Sequence, residues 1–490
     1  MPDRSKRSPR SNRRNVLRAL AGAGLAALAG CGGSGNETPT QAPTSRPPTE
    51  PSATTVPPTS EPTDTTTAPP TATIDDLRQT AVAVVHELDQ EQYEDVYARA
   101  TDEVAAQVTA EQLGSVWSQQ ASGKGRLTAV TIEQYGRSGG YDVFLLRATF
   151  ESGAVRVVLS FTRQEKLAGL QFLPPEGSYT TPDYADPTAF SETDLTLETA
   201  CGLPAKLSIP NGEGTVPGVV LVHGSGPNDM DETIGPNKVF KDLAWGLASR
   251  GVAVLRYDKR TYACDVSGSL TLDDVVVDDA LVALDRLQAH DRVGSTVVVG
   301  HSLGAMAAPR IATKAGNLAG AVMLAANARP FVELIVEQTE YLVNLDGTVT
   351  EAERAVLEQR RTAVERIQSG SVAADEIVLD APGSFWNSLA EYDQVETAKS
   401  LSIPLYVLQG ERDYQVTAEG DFERWKEALG DRKNVSFSLY EGLNHLFMSG
   451  EGQPNPNEYS QPGNVAKTVV EDLAEWTNAR TRIASRRLRR

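Results

Sequence analysis

Beyond Pro187, short apolar runs alternate with stretches of helical periodicity, and this alternation restricts the possible folds more than any other feature of the chain. Val219–His223, Val252–Tyr257, Val297–Gly300, Ala321–Ala325 and Leu405–Leu408 have the length and composition of buried strands. Asn237–Arg250, Asp273–Ala289 and Leu303–Thr313 separate the first four and carry apolar residues at helical spacing. Strands that are apolar on both sides need both faces covered, so the pattern predicts an α/β domain with a mostly parallel, doubly wound sheet. In such a sheet the side chains that meet a ligand lie in loops at the carboxyl ends of the strands.

At the end of the third run stands Gly300-His301-Ser302-Leu303-Gly304, followed by an Ala-rich helical stretch. A strand, a sharp turn and a helix, with Gly300 and Gly304 flanking the serine, are what a nucleophile elbow requires, because small neighbours permit the strained turn that exposes the hydroxyl. The plainer alternative is a helix-capping serine. A serine hydroxyl is a weak nucleophile at neutral pH and needs a base, which in turn needs an orienting group. Asp413, after the run Leu405–Arg412, and His445, in Gly442-Leu443-Asn444-His445 after Phe437–Tyr440, occupy the expected strand ends. Glu411 and Asp421 are alternative acids. His223-Gly224-Ser225-Gly226 follows the first run, where an oxyanion turn is expected; the backbone N–H groups of Ser225 and Leu303 are the expected donors. There His223 is expected to brace the turn, and Gly224 and Gly226 to let the backbone approach a substrate. His301 is expected to face away from Ser302 and His290 to sit at a helix end, neither with a matching acid at a strand end. No metal or organic cofactor is implied, and Cys31, Cys201 and Cys264 are too far apart for a paired-cysteine zinc site.

The elbow and the chain order Ser, Asp, His resemble the α/β-hydrolase superfamily of serine esterases. Within it, His223-Gly224-Ser225-Gly226-Pro227-Asn228-Asp229, Asp231-Glu232, Gly235-Pro236-Asn237-Lys238 and Leu255-Arg256-Tyr257-Asp258-Lys259-Arg260 resemble the EstD-type bacterial carboxylesterases, a likeness spanning about residues 75–475. The resemblance implies an α/β-hydrolase fold and cleavage of small-molecule carboxylic esters with short acyl chains. A peptide-cleaving hydrolase and a non-catalytic envelope-binding protein are the alternatives. Departures are the amino-terminal leader and stalk, Met230 where a polar residue is expected, and the basic end Arg486-Arg487-Leu488-Arg489-Arg490. Asp229, Asp231, Glu232, Lys238, Lys259 and Arg260 are expected to pin the long loop as an ion-pair network, in preference to forming a charged collar beside the site. An insertion at about 329–398, with helical runs Val332–Leu345 and Thr350–Gln368, takes the position of a cap in this fold; Phe385, Trp386 and Tyr392 line it or fill core. If Thr193–Glu198 and Ala205–Ile209 are the first two strands, Cys201 lies in their turn. In this fold the second strand neighbours the one ending at Asp258, which Cys264 follows. A Cys201–Cys264 disulfide is compatible with that placement, and Cα atoms more than about 7 Å apart would exclude it.

Ahead of the hydrolase region (188–480, with a basic tail at 481–490), residues 74–175 read as a small α+β domain. Ile74, Leu77, Ala81, Val84, Val85 and Leu88 recur at helical spacing, further helices are expected at Tyr93–Ala100 and Thr109–Gln119, and four strands follow between Thr128 and Phe172. The order resembles a small domain found ahead of some bacterial hydrolases, shaped like a ketosteroid-isomerase cone. Its single histidine, His86, has no paired acid or cysteine, so the domain is read as carrying no chemistry.

The first 73 residues read differently. Residues 1–30 hold seven basic residues and one acid, with Arg13-Arg14 directly before the apolar run Val16–Leu28, and resemble a twin-arginine export signal. Leu28-Ala29-Gly30-Cys31 resembles a lipobox, which implies lipidation of Cys31 and a membrane anchor outside the cell. Residues 31–73 read as a tether: positions 37–73 contain 10 Pro and 13 Thr and cannot bury a core. The chain has 46 Lys and Arg against 65 Asp and Glu, a net charge of −19, which argues against nucleic acid as a partner. Only 12 of those bases are Lys; such an acidic, Lys-poor surface suits high salt and predicts a halophilic protein.

Overall fold

The computed structural model describes residues 72–487, apart from 106–107, 139–140, 174–178 and positions 265, 267, 346, 350 and 380. The expected export signal, Cys31 and nearly all of the tether lie outside the described residues. The first helix, Ile74–Asp89, starts where Thr73 and Asp76 form a reciprocal capping box, and its stripe of Leu77, Ala81, Val84, Val85 and Leu88 is fully buried. Ala110–Ala121 begins in the same way, with Thr109 and Gln112. Tyr93–Ala98 and a short helix not expected from the sequence, Asp102–Ala105, lie between them. Strands β1 (Leu127–Ser138), β2 (Tyr141–Phe150), β3 (Gly153–Phe161) and β4 (Leu167–Leu173) form an antiparallel meander. Trp117 packs against Phe150 and Phe172, joining the helix Ala110–Ala121 to the sheet.

The second sheet has eight strands in the order β16-β15-β12-β11-β7-β10-β6-β5. These are β5 (Phe190–Leu197), β6 (Leu203–Pro210), β7 (Val216–Val222), β10 (Ala253–Tyr257), β11 (Val293–His301), β12 (Gly320–Leu324), β15 (Leu405–Gly410) and β16 (Val435–Tyr440). From β10 to β16 all neighbours are parallel, while β5 and β6 run antiparallel at one edge. Helices Asp278–Gln288 and Leu303–Ala315 close one face, and Val239–Ala248 and Lys467–Arg487 close the other, so β7, β11 and β12 are buried on both sides. This is the mostly parallel α/β-hydrolase sheet.

In the hydrolase region, three helix boundaries differ from the sequence expectation. Asn237 and Lys238 belong to β9, which pairs with β8 (Thr233–Ile234), so the helix starts only at Val239. Asp273–Val277 forms a π-helical turn before the α-helix at Asp278. The last helix runs to Arg487, so most of the expected basic tail continues a helix of the hydrolase region.

The insertion contributes helices Phe331–Val343, Glu351–Gln368, Gly383–Ala390 and Gln394–Ser400 and the small hairpin β13 (Ile377–Val378) and β14 (Ala381–Pro382). Phe385, Trp386 and Tyr392 are core residues: Trp386 Nε1 donates to Val378 O at 2.7 Å and Tyr392 OH to Met306 O at 2.9 Å. Cys201, after β5, and Cys264, after β10, are disulfide-bonded, with Cα atoms 6.1 Å apart.

Candidate active site

The carboxyl ends of β7, β11, β15 and β16 bring the sequence-predicted residues to one edge of the sheet. At the end of β11, Ser302 has φ 53° and ψ −118°, a strained conformation for a residue with a side chain. Its N–H donates to Leu324 O at 2.8 Å, which ties the turn to β12. Both flanking glycines are required sterically. A Cβ on Gly300 would meet Gly304 O at 2.2 Å, and one on Gly304 would meet Val222 O at 2.2 Å. The helix Leu303–Ala315 therefore starts against the end of β7, with the Leu303 N–H at its open amino terminus.

His445 Nδ1 donates to Asp413 Oδ2 at 2.6 Å, both side chains being buried. The carboxylate is held on every side. Gln409 Nε2 donates to the same oxygen at 2.9 Å, and the Gln415 and Val416 N–H groups donate to Oδ1 at 2.8 and 3.0 Å. Asn444 Oδ1 accepts from the Leu446 and Met448 N–H groups and shapes the loop that carries His445. The alternative acids are engaged elsewhere or exposed. Asp421 accepts from the Ala328 and Arg329 backbone and pairs with the Arg329 guanidinium at 2.8 Å, and Glu411 is exposed.

The turn His223–Gly226 lies against the elbow: a Cβ on Gly224 would be 3.2 Å from Ser302 Cβ. Gly226 has φ +84°, which favours glycine. His223 donates through Nε2 to Asp229 O at 3.1 Å and packs between Phe240 and Tyr257. Burial pulls its pKa down to about 4, so it is neutral at pH 7, as a bracing residue would be. Among the described residues, neither the Ser225 nor the Leu303 N–H donates to a protein acceptor.

His301 has no acid at a strand end, but a loop carboxylate reaches it. Its Nδ1 lies 3.0 Å from Glu232 Oε2, both groups being buried, and its Nε2 donates to His445 O at 3.0 Å. Burial alone would lower the imidazole pKa, but the Glu232 carboxylate, with the His445 carbonyl and Asp413, turns the net shift upward. The sequence places Glu232 only in the ion-pair network of the long loop, because it lies before β8, with φ 47°, rather than at the end of a strand. Glu232 Oε1 also accepts the Gly224 N–H at 2.7 Å, so one carboxylate joins the oxyanion turn to the elbow and, through His301, to the His445 loop. The other charged residues of this segment form separate pairs. Asp231 binds Lys238 and Arg256, Arg260 binds Asp279, and Asp229 accepts from Thr233. Lys259 reaches inward to Gly224 O. Among the described residues there is no cluster of His, Cys, Asp and Glu that could hold a metal ion.

Residues 219–456 match a family described as the alpha/beta hydrolase family, and residues 81–170 match a family of unknown function, DUF3887. Esterase EstD of Thermotoga maritima is 39% identical over 400 residues, covering 81% of this chain and 94% of that protein. Among solved structures, Est1E from Butyrivibrio proteoclasticus is 17% identical with a TM-score of 0.40, covering 59% of this chain and 98% of that one. The esterase domain of a Rhodothermus marinus protein is 16% identical with a TM-score of 0.36, covering 59% and 98%. An identity of this size, sustained across both the small antiparallel domain and the parallel sheet, means that the chain belongs to the alpha/beta hydrolase family, in its EstD-type esterase branch.

Proposed function

We propose that this protein cleaves short-acyl carboxylic esters by an acyl-enzyme mechanism in which Ser302 is the nucleophile, His445 the general base and acid, and Asp413 the group that orients the imidazole. The observation that carries the reading is the buried 2.6 Å Asp413–His445 hydrogen bond, on the same sheet edge as a serine held in a strained turn. The Nδ1–H···Oδ2 contact fixes the tautomer that leaves Nε2 to take the Ser302 proton. The hydroxyl oxygen then adds to the ester carbonyl, and the Leu303 and Ser225 N–H groups receive the oxyanion. Collapse expels the alcohol, which takes the proton from His445. Water, activated by the same imidazole, then releases the acid and restores Ser302. The EstD relative is an esterase by name, which favours esters over peptides as the substrate class. Ser302→Ala should lower turnover of p-nitrophenyl acetate by about 10⁴-fold or more without changing the unfolding midpoint; turnover that stays within tenfold refutes the assignment.

We also propose that the protein is exported and held at the outer face of the membrane by a lipid on Cys31, on the strength of the Arg13-Arg14 leader and Leu28–Cys31.

A further inference from the structure

The peptide group between Gly224 and Ser225 is held from behind by a buried ammonium. Lys259, just past the end of β10, is 3% exposed, and its Nζ donates to Gly224 O at 2.6 Å. Among the described residues it makes no ion pair. Burial pulls its pKa down to about 8, while Glu232 and Asp279 act the other way. Removing an ammonium from water is costly, and a neutral donor would pin a loop carbonyl at less cost. The position of the charge is therefore informative.

In a planar trans peptide, the C=O of one residue and the N–H of the next point in opposite directions. A donor fixed on Gly224 O thus fixes the direction of the Ser225 N–H. The preceding peptide plane is fixed as well, since the Gly224 N–H donates to Glu232 Oε1 at 2.7 Å. Asn228 Nδ2 adds weaker support, donating to Ser225 O at 2.9 Å and to Gly224 O at 3.3 Å. A positive charge on the oxygen side of a peptide also draws electron density toward that oxygen and makes the opposite N–H a stronger donor.

We propose that Lys259 is a positioning residue for ester hydrolysis, aiming and polarising the Ser225 N–H as an oxyanion donor through its bond to Gly224 O. This rests on the serine-hydrolase reading above, so the test must separate the two. Wild type and Lys259→Met would be titrated with a fluorophosphonate at pH 7, and kcat for p-nitrophenyl acetate expressed per labelled site, so that misfolded protein does not enter the comparison. Per site, kcat should fall about 10- to 100-fold with KM within about twofold, somewhat less than complete loss of one oxyanion donor. The inhibition constant of a trifluoromethyl ketone, which forms an oxyanion on the enzyme, should rise by a similar factor. A residue that merely supports the fold would lower the number of labelled sites and leave kcat per site and ketone affinity unchanged, and that outcome overturns the proposal. A fall in kcat with unchanged ketone affinity overturns it too. If K259M gives no labelled sites, Lys259→Gln, polar but one atom short of Gly224 O, should show the same loss in kcat and in ketone affinity, and near-wild-type values for it would be equally fatal. Wild-type enzyme that takes no label at Ser302 refutes the underlying serine-hydrolase reading.

Discussion

Asp258 and Lys259 are adjacent, both buried, and pushed by burial in the same chemical direction, toward their neutral forms. Burial, helped by the nearby Asp229 and Asp231, raises the Asp258 carboxyl to about 7 against the hydrogen bond it accepts from the Met230 N–H at 2.8 Å. Between the ordinary 3.8 and about 7, the folded protein holds a proton that the unfolded chain has released. The group's contribution to stability is therefore fully present below the unfolded pKa and is lost as the pH rises through about 7. Asp258→Asn is always neutral and keeps an oxygen for the Met230 N–H. Its stability relative to wild type should rise by up to about 1.4 kcal/mol per pH unit across this window. Urea unfolding of both proteins at pH 5 and pH 7.5 measures this, and a difference that is the same at both values contradicts it. The same segment shows what the sequence reveals at this scale. Ser302, Asp413 and His445 are legible as the proposed triad because glycine spacing and strand ends mark them. Glu232 and Lys259 act on a backbone group from loops whose paths no local pattern encodes, so their roles emerge only from coordinates.

At the scale of elements, apolar runs identify the strands well because burial on both faces leaves few other solutions. Boundaries shift where a short polar pairing takes priority, as β8 and β9 do at Asn237–Lys238. The insertion is legible as helical, but its aromatic residues are core residues because Trp386 and Tyr392 both have backbone acceptors within the fold. The Cys201–Cys264 disulfide links the β5–β6 turn, at the antiparallel edge, to the segment after β10 that follows Asp258 and Lys259. It closes a loop of 63 residues, for which the chain-entropy relation gives about 4 kcal/mol. Cys201→Ser with Cys264→Ser should lower unfolding stability by about 2–4 kcal/mol and remove the effect of reductant. Equal stability of the double variant and the oxidised wild type in a denaturant titration would show that the edge strands hold their place without the bridge.

On the scale of the whole molecule, the net charge bears on the proposed anchor. In the proposed processing, cleavage before Cys31 would remove seven of the basic residues and one acid, leaving 39 bases against 64 acids. Such a body would gain nothing electrostatically from an anionic membrane surface, so in this reading lasting attachment rests on the proposed lipid on Cys31. By composition, the proposed tether at 37–73 would reach on the order of 110 Å from such an anchor if extended at about 3.1 Å per residue. Anchor and catalysis are thereby separable. Cys31→Ala should move the esterase activity from the membrane pellet to the soluble exported fraction, with kcat and KM unchanged. Activity that still sediments with membranes in the variant, and is released only by detergent, would mean that something other than Cys31 holds the protein there.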